Sequence, residues 1–190
     1  MAISDRLKAL LDSSKVRYTV VKHPVVYTAQ EIAAAQHVSG RQLAKCVLVK
    51  TDRGCALAVL PATQLVDLKK LKGLLKAKTV GIAKEADIKA AFPDVEVGAM
   101  SPFGHLYGVP VVADRALGES AEIVCNAGSH IETVKLRYQD FLTLAKPRLG
   151  SFGQAVGGQA KRKKTRLPSA RRTRSSAKRS AHRPSASRKR

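Results

Sequence analysis

The sequence predicts an α/β protein: a single compact domain whose mixed β-sheet is flanked by helices, followed by a disordered basic tail. Three observations predict it. Roughly seven short runs with strand character interleave with four or five amphipathic segments across residues 1–150. Glycine- and proline-bearing stretches punctuate those runs at the places where a chain must turn. From Gly150 onward the apolar pattern stops, which places the domain at 1–150 and the tail at 151–190.

Charge separates the two parts. Of the chain's 35 Lys and Arg, 14 lie between Lys161 and Arg190 with no acid among them, so residues 1–150 carry about +7 and the tail +14 of the formal +21. A segment with so little to bury cannot fold on its own, and it should track along a polyanion by releasing counterions. Lys161, Arg162, Lys163, Lys164, Arg171 and Arg172 are the expected nucleic-acid contacts. The alternatives are a merely solubilising tail, or an anionic membrane surface, which the scarcity of inserting aromatic and leucine residues disfavours.

The three cysteines, Cys46, Cys55 and Cys125, form no CxxC pair, which argues against a disulfide scaffold or a standard zinc site and fits a reducing cytoplasm. No apolar run approaches the ~20 residues that a membrane span needs. A cytoplasmic protein with no membrane association is expected.

Ser4 can cap a first helix that carries Ile3, Leu7, Leu10 and Leu11 at helical spacing. Residues 16–21 read as a strand ending at His23-Pro24. Thr28-Ala29-Gln30-Glu31 is a capping box, so Glu31 is read as a structural cap in preference to a catalytic carboxylate. Residues 45–50 and 55–61 are joined by Thr51-Asp52-Arg53-Gly54 as a hairpin, nearly continuous in hydrophobicity and hence buried on both faces. Lys45 at the mouth of such a strand must snorkel or hold an anion.

Asp67 can cap a helix with Leu68, Leu71, Leu74 and Leu75 inward and Lys69, Lys70, Lys72 and Lys76 outward, a basic face for solvent or nucleic acid. A short strand at 80–83, a helix at 84–92 and strands at 109–114, 123–126 and 133–137 follow. Asn126-Ala127-Gly128-Ser129-His130 reads as a second polar turn, and a last helix begins near Gln139-Asp140.

The stretch from Val97 to Gly108 holds three glycines and Pro102. It reads either as a long hairpin connection or as a stiff backbone wall whose N–H groups can hold an oxyanion or a phosphate. No G-x-S-x-G elbow, Walker loop or H-E-x-x-H spacing is present, and Cys46 and Cys125 lie in apolar strands where thiols are inert. A lysine, a shaped loop, a Gly-Ser-His turn and a basic exterior suit hydrolysis of an activated ester carried on a polyanion, with no metal and no cofactor.

The pattern His23-Pro24, Thr28-x-x-Glu31, Ala44-Lys45-x-x-x-Val49-Lys50, Leu60-Pro61, Gly98-x-x-Ser101-Pro102-x-Gly104, Val112-x-Asp114, Gly128-Ser129-His130 and Asp140 resembles the YbaK/EbsC family over about residues 15–146. That family includes free-standing aminoacyl-tRNA deacylases and the editing domain of some prolyl-tRNA synthetases. The resemblance implies a partly barrel-like sheet and a trans-editing hydrolase for mischarged tRNA, with a small amino acid such as Ala or Ser on a tRNA such as that for proline. It implies tRNA and an aminoacyl-tRNA synthetase as partners, and water as the nucleophile, helped by the terminal ribose hydroxyl.

Carried onto this sequence, the resemblance implies a catalytic set of Lys45, Gly98, Ser101, Pro102 and His130. Lys45 would engage the terminal adenosine or its phosphate. His23, Thr28, Ala99, Met100, Phe103, Gly104, Gly128 and Ser129 would line the substrate. The alternative from another class is a non-catalytic nucleic-acid-binding protein with a vestigial pocket, its affinity supplied by the tail.

Overall fold

The computed structural model describes residues 3–155. Ser4 caps α1 (Asp5–Ser13), accepting from the Leu7 N–H, and helical spacing buries Leu7 and Leu11 together. After β1 (Tyr18–Lys22), α2 (Ala29–Ala35) opens on the capping box: Thr28 Oγ1 accepts from the Glu31 N–H at 3.2 Å, and the Glu31 carboxylate accepts from the Thr28 N–H at 2.9 Å. Both orphan donors are satisfied within the turn, so Glu31 is a cap.

The hairpin consists of β2 (Leu43–Thr51) and β3 (Gly54–Pro61), paired antiparallel from Ala44 opposite Pro61 to Thr51 opposite Gly54. Next come β4 (Gln64–Val66) and α3 (Leu68–Leu75), where the Asp67 carboxylate accepts from the N–H groups of Lys69 and Lys70. β5 (Val80–Ile82) and α4 (Glu85–Ala91) lead into the Gly98 loop and a 3-10 turn, Gly104–Tyr107. The described chain finishes with β6 (Val111–Asp114), β7 (Glu122–Ser129), β8 (Glu132–Arg137), α5 (Tyr138–Ala145), β9 (Arg148–Gly150) and β10 (Gly153–Ala155).

The main sheet runs β1-β8-β7-β2-β3-β6-β9 and is mixed, since β7 on β2, β6 on β3 and β9 on β6 are parallel. β2 is its pivot. One edge of β2 pairs along its length with β3. The other meets β7 only at Leu43 and Ala44, and meets β5 only from Val49 to Thr51. Between these two pairings the sheet is split, and Lys45 is the first residue inside the split.

Side-chain alternation along β2 sorts the molecule into two faces. Ala44 and Leu48 enter the main core with Leu7 and Leu11 of α1, Phe92, and Phe141 of α5. The opposite face carries Leu43, Lys45, Val47 and Val49. There α2 closes over Leu43 through Ile32, with Ala62 and Val124, and α3 closes over Val49 through Leu71, with Leu60 and Val112.

Two expectations are corrected. The fold does not end at residue 150: Phe152 is fully buried beside Leu71, and Gly153–Ala155 pairs with β4. What holds this extension is Asp114, whose carboxylate accepts from the N–H groups of Phe152 and Gly153, both at 2.6 Å. Residues 126–129 are strand rather than turn. A bulge between Asn126 and Ser129 absorbs Gly128 at φ +109°, and the chain reverses only at His130 and Ile131.

Candidate active site

The floor of the site is the split beside β2. The parallel pairing of Leu43 with Val124 and Ala44 with Cys125 ends there, so Lys45 and Asn126 are the first residues beyond it on the two strands, Lys45 on the face that α2 and α3 flank. Lys45 is half-buried, and among the described residues its ammonium has neither a hydrogen-bond nor an ion-pair partner. Burial lowers its pKa, because removing the cation from water disfavours the charged form. A desolvated, uncompensated cation is the electrostatic preparation for an anion.

The segment Glu96–Ala99 borders the split along the end of β7, with Glu96 N–H to Gly128 O at 3.0 Å and Gly128 N–H to Ala99 O at 3.1 Å. Gly98, at φ +91°, is exposed at the crest of this segment. Two side chains fasten it. Asn126 Nδ2 donates to the Gly98 carbonyl at 3.2 Å, and His130 Nε2 lies 3.0 Å from the Val97 carbonyl. A carbonyl can only accept, so this contact puts the His130 proton on Nε2. The His130 N–H in turn donates to Glu96 at 2.8 Å, and Tyr27 stacks on its ring at 4.8 Å.

Glu96, Gly98, Asn126 and His130 thus form one hydrogen-bonded group at the end of β7, and Lys45 is the first residue of β2 beyond its pairing with that strand. Asn126 and Glu96 are the members that sequence reasoning missed. The available signal was a lone amide inside the apolar run Ile123-Val124-Cys125, read there as the start of a turn.

Other expected site residues face elsewhere. Met100 and Phe103 are core residues, Phe103 packing edge-on against Phe141 at 5.9 Å. Ala99, Ser101 and Pro102 are buried as well, so of the Gly98–Pro102 stretch only Gly98 reaches the surface. Gly104 is glycine for packing: a Cβ there would lie 2.9 Å from the Val109 carbonyl. A Cβ on Gly128 would lie 3.2 Å from Ser4, so that position serves the docking of α1. Ser129 is fully buried with its hydroxyl unpartnered, too deep to meet a substrate.

His23 is buried, with Nδ1 2.8 Å from the Pro24 carbonyl, and Thr28 spends its hydroxyl on the cap of α2. His130 Nδ1 is buried without a partner among the described residues, and Nε2 is the ring atom that holds the loop. The tail contacts Lys161, Arg162, Lys163, Lys164, Arg171 and Arg172 lie outside the described residues.

Cysteine chemistry does not compete with this site. Burial pushes the Cys125 thiol up to about 12, and burial with the neighbouring Cys125 pushes Cys46 well above its ordinary value, so neither supplies a thiolate near neutral pH. Among the described residues no three His, Cys, Asp or Glu side chains converge as metal ligands, and no helix is long and apolar enough to cross a membrane.

A family model for the aminoacyl-tRNA editing domain matches residues 23–144, which run from His23 through the split to α5. This chain belongs to that family. The editing-domain chain is 30% identical over 152 residues to the multifunctional Ser/Thr-tRNA deacylase ProXp-y of Escherichia coli K12, covering 77% of this chain and 90% of that one. It is 28% identical over 150 residues to the prolyl-tRNA editing protein ProX of Acetoanaerobium sticklandii, covering 76% and 91%. A crystal structure of a candidate trans-editing enzyme for prolyl tRNA synthetase shares the fold, with a TM-score of 0.71 at 20% identity over 79% of this chain and 96% of that one. The expected α/β fold and the YbaK/EbsC resemblance therefore stand, and hydrolytic editing of aminoacyl-tRNA is the general activity of the family.

Proposed function

We propose that this editing-domain protein acts in trans as a hydrolase that removes a small amino acid, Ala or Ser, from a mischarged tRNA such as that for proline. The observation that carries this reading is the half-buried Lys45, its ammonium unpartnered among the described residues, placed on β2 one residue beyond where the pairing with β7 stops. Lys45 holds the phosphate or ribose of the terminal adenosine. The Gly98 N–H, which has no acceptor among the described residues, donates to the ester carbonyl oxygen as negative charge develops on it.

Water adds to the carbonyl carbon, and the bond to the ribose oxygen breaks. The proton lost by the water passes to that leaving oxygen by way of the neighbouring ribose hydroxyl, so no protein base is required. Asn126 and His130 act through Gly98 as positioning residues.

A small substrate follows from the logic of editing. Binding alone separates amino acids differing by one methylene by only ~1–3 kcal/mol, so a synthetase admits smaller competitors, and a second, tighter site removes them. A site walled by backbone at Gly98 would suit a methyl or hydroxymethyl side chain better than a larger one. The protein would work in the cytoplasm beside the synthetase whose errors it clears.

The test presents the full chain with Ala-, Ser-, Thr- and Cys-charged tRNAs and measures which lose their label, alongside Lys45→Ala. Release of Ala or Ser by the wild type, abolished in a folded Lys45→Ala, is the expected result. Wild-type turnover in that variant would sink the assignment of Lys45. Salt-sensitive binding without hydrolysis of any charged tRNA would favour a non-catalytic nucleic-acid-binding protein instead.

A further inference from the structure

We propose that the lysine face of α3 is a docking surface for double-helical RNA, the acceptor stem of the tRNA whose CCA end enters the split at Lys45. The inference rests on the editing reading for the identity of the RNA and extends it to a surface outside the reaction site.

Lys69 and Lys72 lie at i and i+3 on the exposed side of α3, and exposed Lys76 caps its C-terminus, so the three cations follow one another over about 10 Å. Lys78 follows, also exposed. Among the described residues these four have no ion-pair partner. Lys70 sits 3.8 Å from Asp67, the acid that caps the helix. A stripe of that length spans two or three successive phosphates of one RNA strand, and phosphates are what compact, hydrated lysine charges contact.

Gly73 supplies an independent observation. It lies in the last turn of α3, exposed between Lys69, Lys70, Lys72 and Lys76, and a Cβ placed on it would meet nothing within 4 Å. Glycine weakens a helix interior, and here no packing or positive φ calls for it. A bare backbone at the centre of a cationic stripe is what close approach of a ribose-phosphate chain requires.

Position ties the stripe to the site. Leu71, on the inward side of α3, packs in one cluster with Leu60, and Leu60 is the cross-strand partner of Lys45. α3 therefore rides on the strand pair that carries Lys45, flanking the same sheet face. A duplex laid on α3 can send its single-stranded end toward the split. The wide, shallow minor groove of A-form RNA suits a convex helix better than insertion would.

The test uses the full chain, comparing wild type, Lys69→Gln/Lys72→Gln, and Gly73→Gln. Lys70 and Lys76 are left alone because one adjoins the cap and the other ends the helix at φ +51°. Fluorescence anisotropy is read over a salt series with a labelled acceptor-stem hairpin ending in CCA and with a single-stranded RNA of equal length. For the hairpin, the double variant should bind about tenfold more weakly at low salt, with a salt slope smaller by about 1–2, while single-strand binding through the tail is preserved.

Gly73→Gln should melt no lower than wild type yet weaken hairpin binding. Unchanged hairpin affinity and slope, or equal losses on both RNAs, would overturn the proposal. These readouts need no turnover. A chain that binds the stem through α3 but deacylates nothing would defeat the editing reading alone, whereas active α3 variants that bind like wild type would defeat the docking surface alone.

Discussion

Asn126 and Gly98 are 28 residues apart in the chain and are joined by a hydrogen bond of 3.2 Å from the Asn126 amide to the Gly98 carbonyl. The bond fixes the plane of the peptide that offers the Gly98 carbonyl, and so constrains the backbone on either side of it. The cost is visible at the other end of the same side chain, where Asn126 Oδ1 is buried without a partner. Structure alone gains little from such an arrangement, since one hydrogen bond is offset by one orphaned acceptor. Its value lies in fixing Gly98 at the end of β7, where the pairing with β2 has stopped one residue before Lys45.

Asn126→Leu should therefore separate activity from stability. The variant loses the loop fastening and the orphaned oxygen together, so its unfolding free energy should stay within about 1 kcal/mol of wild type. Deacylation should fall roughly 10- to 100-fold in kcat as the Gly98 N–H loses its aim. Single-turnover kinetics beside a urea titration reads both quantities. A large loss of stability with unchanged kcat would contradict the positioning role.

Lys45→Met should abolish deacylation, by about 10²-fold or more, without lowering stability. The sign follows from linkage. Burial depresses the Lys45 pKa in the folded chain below its ordinary 10.5, so between the folded value and 10.5 the unfolded chain binds more protons and stability rises with pH. Below the folded value the buried cation opposes folding, and Lys45→Met removes that opposition. Urea midpoints measured against pH should show the alkaline rise in wild type and a flatter profile in the variant. KM for charged tRNA should climb as pH passes through the depressed pKa in wild type and should not in Lys45→Arg.

Asp114 carries part of the family resemblance and is structural. Its carboxylate accepts from Ala116, Phe152 and Gly153 N–H groups, the first at 2.9 Å and the other two at 2.6 Å, and it is almost wholly buried. Asp114→Ala strands three donors and should cost about 2–4 kcal/mol. Hydrogen exchange should localise the damage, with the Phe152 and Gly153 amides losing protection first.

A chain ending at Ala155 keeps Phe152 and the β4–β10 pairing, whereas one ending at Gly150 loses both. The 1–155 chain should retain deacylation at low salt and lose tRNA affinity as salt rises, with a smaller salt slope than the full chain because the tail cations are gone. The 1–150 chain should melt at a lower temperature. Equal salt slopes for 1–155 and the full chain would exclude the tail as an electrostatic clamp.

Among these features, those governed by neighbours along the chain were legible in the sequence. The capping box of Thr28 with Glu31, the Asp67 cap, the β2–β3 hairpin and the inward leucines of α3 each depend on residues within a few positions of one another, where backbone geometry leaves few choices. Lys45 was legible too, as a cation where apolar residues surround it.

The rest needed the folded chain because its causes are distant in sequence. Whether residues 126–129 form turn or strand depends on pairing with β8 through a bulge, and whether Met100 and Phe103 face substrate or core depends on α5. Residues 151–155 lack a strong pattern of their own and are ordered by Asp114, nearly 40 positions earlier. By itself the sequence determined the helix caps, the β2–β3 hairpin, the cationic residue at the mouth of β2 and the family. Only the tertiary structure decided that Lys45 stands in a split of the sheet, and that Asn126 and His130 fasten the backbone at Val97 and Gly98, because hydrogen bonds and register between remote segments are set by three-dimensional closure rather than by local preference.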